Sequence, residues 1–513
     1  MTSLKKRFTS SLLGNLTRSA ISFLTMLLLA RWLTPTDYGR MSYLLASFVA
    51  IRQLLEVATS TAFFTFLSQK NRGKFFLLYY WGWVFFQLML TISVLIILIP
   101  ASLITIIWQN ESISVIILAY LASFLQGSIW QSAQHMAEAQ RKTLFVQKIS
   151  TFIFTIHFLL VFFAHYFDYL TLVFIFSIMI FEWFIASIVV ASKYKINTEL
   201  NDDISESPKS VFRMFLIYCL PMIPYTWLNF IHDFADRWML QYWSGSEHQA
   251  FYSIAQQLSA VALIATTSVL NIFWKEIAEA YKLGNQEVMQ NLHKRVSRML
   301  FVFSTFIAAF LFPWSREIVS TLLGEKYLAG VFTLSIMLFY PIHQSLGQIA
   351  GTILYATEST KLRLMLTIVF VPINLFVTYI LLAPKDAIIP GFSLNSEGLA
   401  IKMVAMQIIQ VSIINYFINR KFKLHSDFFY QALIFFLLLL FGLISYHTTV
   451  WSFGSLTNNT YILMSISFLI FLVQFIFICL KRPTIIGVSH SELAILQLTF
   501  KQYVLRKSES KKN

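Results

Sequence analysis

The chain of 513 residues is 57% hydrophobic and 17% aromatic, with 51 Phe, and only 12% of it is charged, about half the share of an ordinary soluble domain. That composition excludes a water-soluble enzyme, which could not hide so much apolar surface. The net charge of +15 raises a nucleic-acid partner, since Lys and Arg clusters neutralise phosphate backbones. The charges, however, fall in short gaps between apolar runs of about 20 residues, each long enough to cross a ~30 Å hydrocarbon core. The pattern is an all-α polytopic membrane protein with membrane lipids around it and no nucleic acid.

In chain order, the basic start (Lys5, Lys6, Arg7) leads into an apolar run that carries Arg18 and Arg31 and no small-residue cleavage site. It reads as a retained first span. Apolar runs place spans near 12–33, 39–67, 75–107, 112–138, 144–165, 169–192, 211–243, 249–273, 297–322, 328–356, 361–383, 397–419, 427–448 and 459–480, fourteen in all. The third, seventh and tenth are long enough to require a tilt or a bend. The polar stretch 193–210 (KYKINTELNDDISESPKS) reads as a linker. It divides an N-lobe of spans one to six (1–192) from a C-lobe of spans seven to twelve (211–420). Two further spans lie within 421–480, and 481–513 is a tail. There, Leu493, Leu496, Phe500 and Val504 recur at helical intervals, as in a helix lying on a membrane surface.

The lobes repeat each other weakly. WLTPTDYGRMS (32–42) aligns with WSGSEHQAFYS (243–253), and Ala139 and Thr143 align with Ala356 and Thr360. Six spans per unit and equal parity predict a pseudo-symmetric, parallel 6+6 bundle. Of the 39 Lys and Arg residues, 30 fall on one side of these spans, five on the other and four inside them. Both termini are therefore expected on the cytoplasmic side.

Cys219 and Cys479 lie inside apolar runs, so neither a disulfide nor a thiolate metal site is implied. There is no GxxxxGK[ST], HExxH, CxxC or GxSxG pattern, so neither an ATP-driven pump nor an enzyme is expected, and no cofactor. The non-cytoplasmic connections are short, the longest near 384–396, which argues against a polysaccharide polymerase.

Ionisable groups inside spans cost about 2.5–3.5 kcal/mol each on insertion scales, so they face protein or a water-filled cavity. Arg18 lies two turns into span one. Arg52 is central in span two, with Glu56 one turn on. Span seven carries Asn229, His232, Asp233, Asp236 and Arg237; Asp233 and Arg237 have the favoured i, i+4 order, which leaves Asp236 without an evident partner. Pro221 and Pro224 should bend that span. Lys402, about one turn inside span twelve, reads as a snorkelling residue. Glu182, central in span six, is either a neutral structural acid or an ion-coupling carboxylate, and His157 and His343 read as packing residues. Trp81, Trp83, Trp227 and Trp243 suit interfacial belts or sugar stacking.

Three segments carry a family resemblance: LARWLTPTDYG (29–39), LPMIP (220–224) followed by ADRWML (235–240) and YSIA (252–255), and LLGEKY (322–327). Their order over residues 12–420 resembles the Wzx-type polysaccharide biosynthesis flippases of the multidrug/oligosaccharidyl-lipid/polysaccharide (MOP) exporter superfamily. The resemblance implies a MATE-like fold of two six-helix lobes around a cavity that alternates between leaflets. It implies an undecaprenyl-diphosphate-linked oligosaccharide as substrate, H+ or Na+ as coupling ion, and a polysaccharide polymerase complex as partner in the bacterial cytoplasmic membrane. Basic residues facing the lobe interior would hold the diphosphate; here those are Arg18, Arg52 and Arg237, with Lys402, Asp236, Glu182 and Glu56 accessory. Span eight has no basic residue. The alternatives are a lipid-linked peptidoglycan-precursor flippase, a polymerase, and a cation-coupled multidrug antiporter, which would favour a carboxylate where span one has Arg18.

Overall fold

The computed structural model describes residues 4–70, 72–193, 207–424, 427–457, 459–488 and 492. Residues 194–206 of the expected linker, and the expected surface helix over 490–507 apart from Glu492, lie outside these. The described chain is helical with no strand. The helices are α1 (Leu4–Trp32), α2 (Pro35–Glu56), α3 (Thr59–Gln69), α4 (Lys74–Ser93), α5 (Ala101–Trp108), α6 (Ile113–Phe124), α7 (Gln131–Ala139), α8 (Thr143–Tyr166), α9 (Leu172–Lys193) and α10 (Pro208–Cys219). They continue with α11 (Ile223–Ala260), α12 (Ile264–Lys282), α13 (Gln286–Leu311), α14 (Ser315–Leu322), α15 (Val331–Met337), α16 (Tyr340–Ala356), α17 (Thr360–Leu382), α18 (Asn395–Phe422), α19 (Phe428–Phe453) and α20 (Thr460–Lys481).

Among the described residues ten helical segments are long and apolar enough to cross a membrane, or twelve if two bent pairs count as one span each. The expected number was fourteen. One of the ten, Pro208–Leu263, runs for 56 residues and takes in the expected seventh span and much of the eighth. Large apolar side chains such as Ile97, Phe181, Phe429 and Val473 point outward, which water would penalise and hydrocarbon accepts.

The helix ends follow local chemistry. Thr34 caps α2 by accepting from the Asp37 amide at 3.1 Å, with Pro35 in the first turn, where its missing N–H costs nothing. α10 stops at a 3-10 turn, Leu220–Met222, at the expected prolines. The break after α2 is different: Val57 and Ala58 adopt φ of 44° and 60°, and the chain turns by 57° into α3. Neither Gly nor Pro marks the place, and a β-branched residue at positive φ stores strain.

The chain forms two compact units, Met1–Ser253 with Val371–Ser396, and Ile254–Phe370 with Glu397–Asn513. In the first, α1 packs along α8, and α8 along α9. Trp130, Val146, Ile153, Trp183 and Val190 form a core there. A second stack ties α3, α4 and α10: Phe63 lies on Tyr80 with 3.7 Å between ring centroids, and Phe66 and Phe76 meet Phe215. Arg72, in the short connection between α3 and α4, is buried in this stack. Its guanidinium covers the Phe66 and Phe76 rings, and its Nε donates to the Phe66 carbonyl at 3.0 Å, so ring faces and a carbonyl replace its water.

In the second unit, α12, α13, α16, α19 and α20 enclose Phe273, Ile277, Phe301, Ile349, Ile353 and Phe471. A Cβ on Gly442 would run into the Ala309 carbonyl, the close helix approach that small residues permit in membranes. Arg298 of α13 grips Asp427 through two hydrogen bonds, at 2.7 and 3.0 Å, and lies 4.2 Å over the Tyr430 ring. The Tyr430 hydroxyl donates to the Ile485 carbonyl beyond α20.

Candidate functional site

Arg52 lies near the C-terminal end of α2, one turn before the bend. Its Nη1 donates to Glu56 Oε2 at 2.9 Å and to the Gly127 carbonyl at 2.6 Å. Gly127 belongs to a π-helical turn, Leu125–Trp130, and a Cβ there would strike the Arg52 guanidinium. The glycine is thus what lets the cation reach the backbone. The other Glu56 oxygen accepts from the Ser60 hydroxyl, so the carboxylate spans the break between α2 and α3. The side chains of Arg52 and Glu56 are 13% and 17% exposed. The i, i+4 pair read from the sequence is present; the π turn and the bend that frame it had no sequence signal.

Arg237 sits on α11, whose helical course is interrupted at Gly245 (φ 80°). That turn brings the following residues back beside it: Arg237 Nη1 donates to the Ser253 hydroxyl at 2.6 Å and the guanidinium lies 4.7 Å over the Tyr252 ring. The structure corrects two expectations here. Asp233 pairs with His232, whose Nδ1 is 3.0 Å away, rather than with Arg237. Asp236 is not partnerless: it is buried, accepts from the Thr378 hydroxyl at 2.7 Å and has His232 Nε2 at 3.7 Å.

The two segments aligned as repeats meet near this point. Gly39 of α2 lies so close to the Ser246 carbonyl that a Cβ has no room. Beside that contact Gln241 donates to Ser246 Oγ at 2.7 Å, Gln109 to the Gln241 carbonyl at 2.5 Å, and Trp238 Nε1 to the Ile106 carbonyl at 3.2 Å.

Arg18 is half-buried on α1 and hydrogen-bonds the Asn15 side chain, one turn earlier; Glu138 at the end of α7 is the neighbouring carboxylate. Glu182 on α9 is 4% exposed and faces His157 Nδ1 of α8 at 2.9 Å, so two residues read separately form one pair. Lys402 is 1% exposed, which corrects its reading as a snorkelling residue. It lies about two turns into α18, which begins at Asn395, and surrounding protein encloses its side chain.

Arg18, Arg52, Arg237, Glu56, Asp236 and Glu182 all belong to the first unit, and Lys402 to the second. The three arginines hold separate partner sets rather than a shared one. Among the described residues no group of His, Cys, Asp and Glu is arranged to hold a metal ion.

Fold and site define a multi-pass α-helical membrane protein that keeps charged, hydrogen-bonded side chains within its spans. The chain belongs to the polysaccharide biosynthesis protein family, whose model matches residues 4–273. Solved structures share its fold. The lipid II flippase MurJ in an inward closed conformation superposes with a TM-score of 0.64 at 15% identity, over 90% of this chain and 96% of that one. An inward-facing multidrug resistance MATE family transporter of the MOP superfamily gives 0.61 at 13%, over 80% and 96%. A MOP superfamily transporter from Pyrococcus furiosus gives 0.56 at 12%, over 81% and 94%. No curated protein sequence matches the chain. The family match bears out the polysaccharide-biosynthesis resemblance, and the likeness to the MurJ and MATE structures bears out the expected MATE-like fold.

Proposed function

We propose that the chain is a flippase that moves an undecaprenyl-diphosphate-linked oligosaccharide repeat unit across the bacterial cytoplasmic membrane by alternating access, for O-antigen, capsule or exopolysaccharide assembly. The observation that carries this reading is Arg52: an always-charged guanidinium held mid-span by a carboxylate and a backbone carbonyl. A lipid diphosphate cannot enter hydrocarbon bare, because desolvating its charge is prohibitive. Guanidinium forks match phosphate oxygens in pairs. Glu56 supplies the counter-charge when no substrate is present, and an incoming phosphate takes over that role.

Arg18 and Arg237 are further basic contacts for the diphosphate, with Asp236, Glu182 and Lys402 as accessory groups. The moving parts are an N-lobe over 1–192 and a C-lobe over 211–420, joined by the linker 193–210, with both termini cytoplasmic. An H+ or Na+ gradient drives the cycle, and a polysaccharide polymerase consumes the product. Membership in the polysaccharide biosynthesis protein family supports the substrate class.

The test is polymer production in a strain lacking its own flippase, complemented at equal membrane abundance by the wild-type chain, Arg52→Ala, Arg237→Ala and the matching Lys variants. Wild type restores polymer, the Ala variants lose it and the Lys variants keep part. If every variant complements, the diphosphate site lies elsewhere. If wild type fails with several repeat units and instead exports cationic dyes, the chain is an antiporter.

A further inference from the structure

Two cavities in the second unit border each other between α13, α16, α18 and α19. The first, about 530 Å³, has a polar wall that includes His293, Lys294, Asn415, Asn419 and Arg420. The second, about 280 Å³, is walled by carbon: Phe301, Ile342, Val404, Ile408 and Phe435. His343, Phe428 and Gln431 line both. The polarity falls in the same direction along three helices. On α18 it runs from Arg420 through Asn415 and Val411 to Ile408 and Val404, roughly 24 Å at 1.5 Å per residue. On α13 it runs from Lys294 to Phe301, and at α19 from Asp427 and Gln431 to Ala432, Phe435 and Phe436.

The polar end carries net positive charge. Asp427 has both oxygens occupied by Arg298, whereas Lys294 and Arg420 have no ion-pair partner among the described residues. The open side presents Tyr416, Phe428 and Phe436, all exposed, on helices long and apolar enough to span a bilayer. A basic mouth that leads into an apolar slot open to hydrocarbon matches a ligand with an anionic head and an oily chain. A sugar phosphate would leave the slot empty, and a helix is too wide for 280 Å³.

We propose that this groove seats an anionic phospholipid of the surrounding membrane, its phosphate between Lys294 and Arg420 and one acyl chain in the slot lined by Phe301, Ile408 and Val404. Asn415 and Asn419 supply amide N–H donors to the phosphate oxygens. None of the three arginines assigned to the transported diphosphate belongs to this unit, and the proposal holds whatever the cargo is.

The experiment is native mass spectrometry of the full-length chain, delipidated in detergent and titrated with phosphatidylglycerol, phosphatidylcholine, glycerol phosphate or undecaprenyl phosphate. The variants are K294A/R420A, which removes two solvent-facing charges, and A432F, which fills the slot. Wild type should retain phosphatidylglycerol over phosphatidylcholine. K294A/R420A should lose about 25-fold in affinity, from ~1 kcal/mol per basic residue at ~1.4 kcal/mol per tenfold. A432F should lose the lipid with the charges intact. Equal retention of phosphatidylcholine, unchanged binding in both variants, competition by glycerol phosphate at equal concentration, or displacement by undecaprenyl phosphate would each overturn the assignment.

Discussion

The pair Arg52/Glu56 allows a structural role to be separated from a substrate-binding one. Arg52→Ala strips a donor from Glu56 Oε2, 2.9 Å away, and from the Gly127 carbonyl, 2.6 Å away, and leaves an uncompensated carboxylate in the span. Removing one member of a buried pair costs about 3–5 kcal/mol. The Ser60 hydroxyl still donates to Glu56, and both side chains keep some exposure, so the lower end, about 3 kcal/mol, is expected. In the double variant Arg52→Ala/Glu56→Ala the stranded charge disappears, and roughly 1–3 kcal/mol should return as coupling energy. The assay is equilibrium unfolding of the purified chain in mixed micelles, run beside polymer complementation. The expected outcome is that the double variant recovers stability and not transport, because no guanidinium remains to meet a diphosphate. If the double variant restores polymer to the wild-type level, Arg52 serves only to balance Glu56 and the site proposed around it is wrong.

Two further substitutions probe the packing that supports the site. Gly39→Ala places a methyl inside the Ser246 carbonyl; overpacking costs typically 1–3 kcal/mol, set against ~1 kcal/mol of helix propensity gained. Thermal unfolding in detergent should show a net loss, and a neutral or stabilising result would mean that the two backbones can separate freely. Thr378→Val keeps the shape but removes the hydroxyl that donates to the buried Asp236 at 2.7 Å, with an expected cost of about 1–3 kcal/mol. Thr378→Ser should recover most of that loss in the same measurement, and equal losses in both variants would refute the hydrogen-bond account.

Hydropathy alone placed most of the helices, because each apolar run must close its backbone hydrogen bonds within itself once it enters a bilayer. Pro221 and Pro224 likewise announced the turn at Leu220–Met222, since a missing N–H and a ring clash act locally. The bend at Val57 and Ala58 had no such marker. The run 57–61 holds three β-branched residues and a Ser, weaker helix formers, but such runs also sit inside helices, so composition alone does not place a bend.

The charged residues divide along the same line. Arg52 and Glu56 were legible as a pair because one helical turn separates them, while their third partner, the Gly127 carbonyl, lies 75 residues on. His157 and Glu182 are 25 residues apart and Asp236 and Thr378 are 142 apart, so only helix register brings each pair together. Gly245 was the readable clue for Arg237: a glycine at the end of a helical run can turn the chain, and that turn rather than α-helical spacing chooses Tyr252 and Ser253 as its neighbours. Lys402 fails for a related reason: α18 begins close to where the sequence places it, but the tertiary packing that encloses the side chain is not written in that span. In hydrocarbon every such charge is obliged to have a partner. The sequence therefore states the obligation in full, and the fold chooses who meets it.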